Sequence, residues 1–304
     1  MTEKTQQLMP TIPDVVDILV GKRYFSSVDM ASGYWQIRMH EDSKEYTTFV
    51  TPGFQYYSFD SMPFGLTGSG GSFQRLMNTI LVDKIASGDC LAYVDDLLIA
   101  SRTFEEHLEN LRVVFERLKE AGLKLKMSKS AFCKKEFIYL GYKITEGGLE
   151  PSDENVRKLR DYPLPKTIKQ TQRLIGMLSF YRGHIENFAK IAGLITSLMK
   201  NNRPFRWDSE CERAMRVLIA RVTSAPILRF PILDSDHPFI LTTDASKVSV
   251  AATLSQIQDR VEHPITFFSR TLNDAERRWG SSESELGAIV AGLNHFRQYL
   301  IGGK

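Results

Sequence analysis

The segment Leu91-Ala92-Tyr93-Val94-Asp95-Asp96-Leu97-Leu98-Ile99-Ala100 sets two adjacent carboxylates between two short apolar runs. Such runs on either side of a brief break predict a strand, a tight turn and a second strand, with the acids at the tip. Carboxylates in an otherwise apolar hairpin are costly unless something cationic sits against them. A pair of Mg²⁺ ions is the natural occupant, because Mg²⁺ takes oxygen ligands and keeps part of its shell for substrate phosphates. An Asp-Asp pair by itself is common and usually a solvated turn; the apolar flanks and the aromatic Tyr93 argue against that here.

A partner carboxylate lies upstream. Tyr24 to Ile37 reads as a strand ending at Asp29, followed by a turn into a helix. Between the two acidic sites stand Met62-Pro63-Phe64-Gly65-Leu66-Thr67 and Phe73-Gln74-Arg75-Leu76-Met77, and beyond them Tyr139 to Gly141, Leu174 to Phe188 and Phe239 to Gln256. In this order, over nearly the whole chain, these blocks resemble the reverse transcriptases of long-terminal-repeat retrotransposons, the gypsy type in particular, and more distantly those of retroviruses. The resemblance implies an RNA-directed DNA polymerase within a Pol polyprotein. It also implies an α/β (α+β) fold: a right-hand polymerase palm with partial fingers, a helical thumb, and the first part of an RNase H-like α/β domain.

Length and composition agree with that outline. The 304 residues exceed one typical domain, and an apolar share of 42% leaves enough side chains for a core. The expected division is 1–145 for partial fingers and palm, 146–235 for thumb and connecting region, and 236–304 for the start of the nuclease-like domain. Cys90, Cys133 and Cys211 show neither metal-ligand spacing nor a disulfide framework, so they are read as structural thiols of a reducing, intracellular compartment, cytoplasmic or nuclear. No apolar run is long enough to span a bilayer, Met1 to Gln7 is too polar for a signal peptide, and no membrane partner is expected. The net charge of +3 permits nucleic-acid binding without arguing for it; oligomeric state is not legible.

Local patterns place the motifs. Thr103-Phe104-Glu105-Glu106 has the form of a capping box; Leu108, Leu111, Phe115 and Leu118 follow at helical spacing, and Gly122 closes the helix. His107 is read as a partly exposed surface histidine. Lys124, Lys126, Lys129, Lys134 and Lys135 precede Phe137-Ile138-Tyr139-Leu140-Gly141-Tyr142, and they suit phosphate contacts that carry no sequence preference. Pro163 and Pro165 force at least two helices between Asn155 and Lys200.

Carried over by resemblance, Asp29 and Asp95 bridge two Mg²⁺ ions, with Mn²⁺ as the alternative metal, and Asp96 makes a looser contact. The N–H groups of Met30 and Ala31 face the triphosphate. Tyr34, five positions after Asp29, would exclude a ribose 2′-hydroxyl. Phe64 and Gly65 floor the nucleotide pocket, and Leu140 and Gly141 form the primer grip. Gln74 and Arg75 lie near the template strand or serve structure alone; both readings stay open. Asp244 and Glu285 match the first two nuclease carboxylates. The implied partners are an RNA template, a DNA or RNA primer and dNTPs.

The chain also departs from the family pattern. It is expected to lack most of the fingers and the third nuclease carboxylate, so weak extension and an inactive nuclease are expected of it. Gly68-Ser69-Gly70-Gly71-Ser72 loosens a helix start where the family commonly has proline, and Ser249 and Ala251 stand where glycines are usual. The competing reading is an inactive retroelement remnant that only binds nucleic acid.

Overall fold

The computed structural model describes residues 9–10, 12–199, 205–224, 226–233 and 236–301. The chain divides into two compact units, Met1–Phe137 and Ile138–Lys304.

In the first unit the order is α1 (Ile12–Leu19), β1 (Tyr24–Asp29), a 3₁₀ turn over Gly33–Gln36, α2 (Glu41–Lys44), β2 (Phe49–Val50), β3 (Tyr56–Tyr57), α3 (Ser69–Ile80), α4 (Val82–Ala86), β4 (Cys90–Tyr93), β5 (Asp96–Ser101), α5 (Phe104–Glu120) and β6 (Ala131–Lys134). Four strands form one antiparallel sheet in the order β4-β5-β1-β6. The central strand β5 is buried from Leu97 to Ser101, which explains its unbroken apolar run: both faces are covered. Val28 and Leu97 are cross-strand partners, and they join Ile99 in one core with Phe73 and Met77 of α3 and Leu111, Val114 and Leu118 of α5. Since side chains alternate along a strand, the next pair, Asp29 and Asp96, points to the face away from those helices.

Helix α5 starts as its sequence predicts. Glu106 N–H donates to Thr103 Oγ1 at 3.2 Å, Thr103 N–H donates to Glu106 Oε2 at 3.4 Å, and Gly122 takes φ 72° just past the end. Its buried face differs from the expected one. His107, Leu111, Val114 and Leu118 are buried, whereas Leu108 is exposed and Phe115 only half-buried. Both stripes have helical spacing, and the sheet selects the first because His107 has polar partners beneath it. Its ring bonds Ser26 Oγ at 2.7 Å and Ser101 Oγ at 3.0 Å, so the expected surface histidine is a core residue. Burial pushes its pKa below the usual imidazole value, which keeps it neutral in the core.

The boundary falls within β7 (Glu136–Tyr139), which forms a sheet with β8 (Tyr142–Thr145) and β9 (Gly148–Pro151); α6 (Asp153–Arg160), α7 (Ile168–Phe180), α8 (Phe188–Ser197) and α9 (Ser209–Thr223) follow in the second unit. The break between α6 and α7 falls over Pro163 and Pro165. Then come β10 (Phe239–Ala245), β11 (Ser249–Gln258), β12 (Val261–Thr271), α10 (Ser281–His295) and α11 (Arg297–Leu300), with β10-β11-β12 an antiparallel meander. Ser249 belongs to the tight turn of this meander, its N–H donating to Ser246 Oγ at 3.0 Å. All three cysteines are free thiols. Among the described residues no helix is long and apolar enough to cross a membrane.

Helix α3 begins on Gly68 without a side-chain cap and carries Gly70 in its first turn. A Cβ at Gly70 would meet only ordinary contacts, 3.6 Å from the Tyr34 hydroxyl. Gly70→Ala is therefore expected to stabilise the chain by about 0.5–1 kcal/mol through reduced backbone entropy of the unfolded state, measured by urea denaturation.

Candidate active site

The three acids are gathered by register. Strands β1 and β5 pair antiparallel from Tyr24↔Ser101 to Asp29↔Asp96, so Asp29 and Asp96 stand directly opposite on one face. Strands β4 and β5 close at Tyr93↔Asp96, leaving Val94 and Asp95 as a two-residue turn. Met30 N–H donates to the Asp95 carbonyl at 3.3 Å, which ties the end of β1 to that turn. Val94 has φ 54°. A β-branched residue in the left-handed region is strained, at a cost of about 1–3 kcal/mol.

Like charges placed directly across a strand pair repel. Asp96 records this: burial first, then the charges of Asp95 and Asp29, push its pKa above the usual carboxylate value, and Lys129 partly offsets them. The Lys129 ammonium lies 3.8 Å from Asp29 Oδ2. The sequence offered this lysine only as part of a basic run; the structure sets it against the acids. Three carboxylates with one such neighbour fit a divalent cation by charge, and their all-oxygen donor set suits Mg²⁺ or Mn²⁺. Among the described residues no three His, Cys, Asp or Glu side chains form a ready-made metal cluster.

The surrounding residues sort into two groups. Tyr34 is brought to the acids: it is half-buried, edge-on to Phe64 at 5.2 Å and to Phe73 at 5.9 Å. Burial and then the Asp95 charge raise its phenol pKa, so it stays a neutral hydroxyl. Phe64 is 62% exposed beside it, and Gly65 takes φ 91°, a conformation other side chains resist. The backbone amides of Met30 and Ala31 are both engaged within the protein. The Met30 N–H is used on Asp95, and the Ala31 N–H donates to the Lys124 carbonyl at 2.9 Å, so neither amide is free for a phosphate. The Gln36 side chain reinforces that seam, donating to the carbonyls of Ala31 and Lys124 and accepting from Lys124 N–H.

Sequence reading also missed Gly33. A Cβ there would lie 3.2 Å from Asp95 Cβ and 3.2 Å from the Phe73 ring. The 3₁₀ turn reaches the acidic turn because this residue has no side chain; a glycine four positions after an aspartate at a strand end was the available signal.

The remaining expected site residues lie in the second unit. Leu140 (φ 47°) and Gly141 (φ 80°) form the turn between β7 and β8. The Gly141 carbonyl accepts from Ser152 N–H at 3.0 Å and from the Tyr181 hydroxyl at 2.9 Å. A Cβ on Gly141 would come within 2.4 Å of Asn155 Nδ2, which explains glycine at that position. Asp244 is exposed on β10 opposite Ala251, and Glu285 is exposed on α10, a helix that packs on β10 and β11.

Residues 2–144 match the family model described as reverse transcriptase (RNA-dependent DNA polymerase), and residues 207–304 match that of an RNase H-like domain found in reverse transcriptase. The chain belongs to the reverse transcriptase family. It is 40% identical over 295 residues to the retrovirus-related Pol polyprotein from transposon 297 of Drosophila melanogaster, covering 96% of this chain and 27% of that protein. It is 32% identical over 308 residues to the one from transposon gypsy of the same organism, covering 97% and 29%. The chain thus spans about a quarter of the length of these curated relatives. Among solved structures, the foamy viral protease-reverse transcriptase dRH in complex with double-stranded DNA matches with a TM-score of 0.81 at 25% identity, covering 98% of this chain and 51% of that one. The foamy viral enzyme in complex with an RNA/DNA hybrid matches at 0.78 and 26% identity, covering 97% and 39%. The α+β architecture expected from the sequence is the one these structures share.

The repulsion at Asp96 gives a stability test. A carboxyl whose folded pKa is raised penalises the folded state once it ionises, and the penalty is absent below its unfolded pKa. In the presence of a chelator, Asp96→Asn is expected to raise the melting midpoint at pH 7 by about 1–2 °C. That gain should fade as pH is lowered through the raised Asp96 pKa; a gain independent of pH would contradict the electrostatic origin.

Proposed function

We propose that this reverse transcriptase family chain carries out RNA-directed DNA polymerisation, extending the 3′ end of a DNA or RNA primer on an RNA template with dNTPs. The observation that carries the reading is the register that sets Asp29 against Asp96 with Asp95 in the adjoining turn. Nucleotidyl transfer forms a bond from the primer 3′ oxygen to the α-phosphorus of the dNTP as the α–β bond breaks, releasing pyrophosphate and the hydroxyl proton, with charge developing on the attacking and leaving oxygens. Asp29, Asp95 and Asp96 would hold two Mg²⁺ ions, which supply the compensating positive charge when bound.

The chain's own residues do the rest. Tyr34, braced edge-on by Phe64 and Phe73, presents an aromatic wall beside the acids and excludes a 2′-hydroxyl by steric collision. Phe64 and the left-handed Gly65 floor the nucleotide pocket. Lys129, its ammonium 3.8 Å from Asp29 Oδ2 and its side chain largely exposed, partly offsets the acidic charge and would be within reach of a substrate phosphate. In the second unit the Leu140-Gly141 turn, fixed by Ser152 and Tyr181, steadies the primer end. Asp244 and Glu285 correspond to the first two carboxylates of the nuclease-like domain, and no cleavage is proposed for them. What supports a nucleic-acid partner is the likeness to foamy viral complexes containing double-stranded DNA or an RNA/DNA hybrid.

The direct test is Mg²⁺-dependent primer extension on an RNA template. Asp95→Asn is expected to lower turnover about a thousandfold or more, since one metal ligand is lost; turnover within a few-fold of the parent would refute the role. Tyr34→Ala is expected to reduce the preference for deoxy- over ribonucleotides about tenfold or more while lowering deoxynucleotide turnover less. Single-nucleotide incorporation with matched sugars reads this out, and an unchanged preference would return Tyr34 to the core.

A further inference from the structure

We propose that Gln74 is a positioning residue that locks the Val94-Asp95 turn, and through it the acidic site, in its strained conformation. Its kinetic consequence rests on the polymerase reading; the lock itself does not.

The turn has two residues, and its first, Val94, sits at φ 54°. Two-residue hairpins favour glycine, asparagine or aspartate where φ is positive, because a β-branched side chain crowds its own backbone there. Such a conformation persists only where its surroundings over-determine it. The side-chain amide of Gln74 supplies that determination. Its Oε1 accepts the Val94 N–H at 2.8 Å, and its Nε2 donates to the Ala92 carbonyl at 2.8 Å. One side chain thus bridges the end of β4 and the turn. A third bond, from Nε2 to Asn78 Oδ1 at 2.9 Å, fixes the amide from one helical turn along α3. A carboxamide with one acceptor and two donors satisfies all three partners; a carboxylate lacks the donors and a thioether has neither.

Burial decides between the two readings that the sequence left open. Gln74 is 1% exposed, and its amide is committed within the protein, so it does not read the template. Its neighbour Phe73, fully buried, abuts Gly33, which in turn abuts Asp95. Two consecutive residues of α3 therefore hold the acidic turn, one by hydrogen bonds to its backbone and one by packing against the turn that flanks it.

The test is a double-mutant cycle on the chain as it exists, combining Gln74→Met with Val94→Gly. Glycine adopts positive φ unaided, so it removes the need for the lock. Two readouts are taken: amide hydrogen exchange of the peptide spanning the β4–β5 hairpin, and steady-state primer extension. With Val94 present, Gln74→Met is expected to accelerate exchange at the turn about tenfold and to lower kcat about tenfold, leaving the nucleotide KM and primer-template Kd within about twofold. With Val94→Gly in place, the same substitution should change kcat by about twofold or less. Gln74→Glu keeps the Val94 acceptor but sets a buried carboxylate against the Ala92 carbonyl and Asn78 Oδ1, so it is expected to give no rescue. Asn78→Ala, which frees the amide on one side, is expected to accelerate exchange at the turn about threefold and carries the test if the methionine variant does not fold, unchanged exchange overturning the proposal. Equal effects of Gln74→Met in both backgrounds, or unchanged exchange at the turn, would overturn the proposal. If the parent chain extends no primer, the polymerase reading fails and exchange alone decides the lock.

Discussion

The antiparallel pairing of β1 with β5 is the constraint on which the candidate site depends. Six consecutive pairs, Tyr24↔Ser101 through Asp29↔Asp96, fix which residues enter the core and which face the other way. A slip of one residue would turn Val28 and Leu97 out of the helix-covered core and bury the acids in their place. The apolar packing of α3 and α5 on one face thereby specifies the position of charges on the other. Hydrophobic burial supplies the energy, and electrostatic repulsion at the strand ends is tolerated because the register leaves no alternative.

That repulsion is the chemical content of the site. Asp29 and Asp96 oppose each other, Asp95 adds a third charge at the turn, and Lys129 offers a single ammonium at 3.8 Å. A protein that held these groups for stability alone would gain by replacing one of them. Beside the aromatic pair of Tyr34 and Phe64 they form a cluster of negative charge that a bound cation would balance. The strained Val94 belongs to the same pattern, since local strain persists where neighbouring structure holds it.

A buried polar layer lies beneath the same sheet. His107 joins Ser26 to Ser101, Asn110 Nδ2 donates to Ser101 Oγ at 3.0 Å, and Lys84 Nζ donates to Asn110 Oδ1 at 2.7 Å. These bonds satisfy groups that would otherwise be costly in the core, and they tie α5 to β1 and β5 by direction as well as by contact. The orientation of α5 is therefore specified more narrowly than its apolar stripe alone would require.

The sequence by itself determined the hairpin carrying Asp95 and Asp96, the strand ending at Asp29, the capping box of α5 and the interruption at Pro163 and Pro165. Each rests on local chemistry: short unbroken apolar runs, a hydroxyl three residues before a carboxylate, a ring without an N–H. Tyr34 stands five positions after Asp29 in the sequence, and the fold sets it edge-on to Phe64 and Phe73. Only the tertiary structure decided which of two equally periodic stripes of α5 is buried, because His107 bonds Ser26 on a strand 81 positions away as well as the nearby Ser101. It alone committed the amides of Met30 and Ala31 to Asp95 and Lys124, set Lys129 against Asp29, and required Gly33 and Gln74 where they stand. Those facts depend on contacts between residues from about forty to a hundred positions apart in several cases, and no local pattern records what a side chain will meet once the sheet has formed.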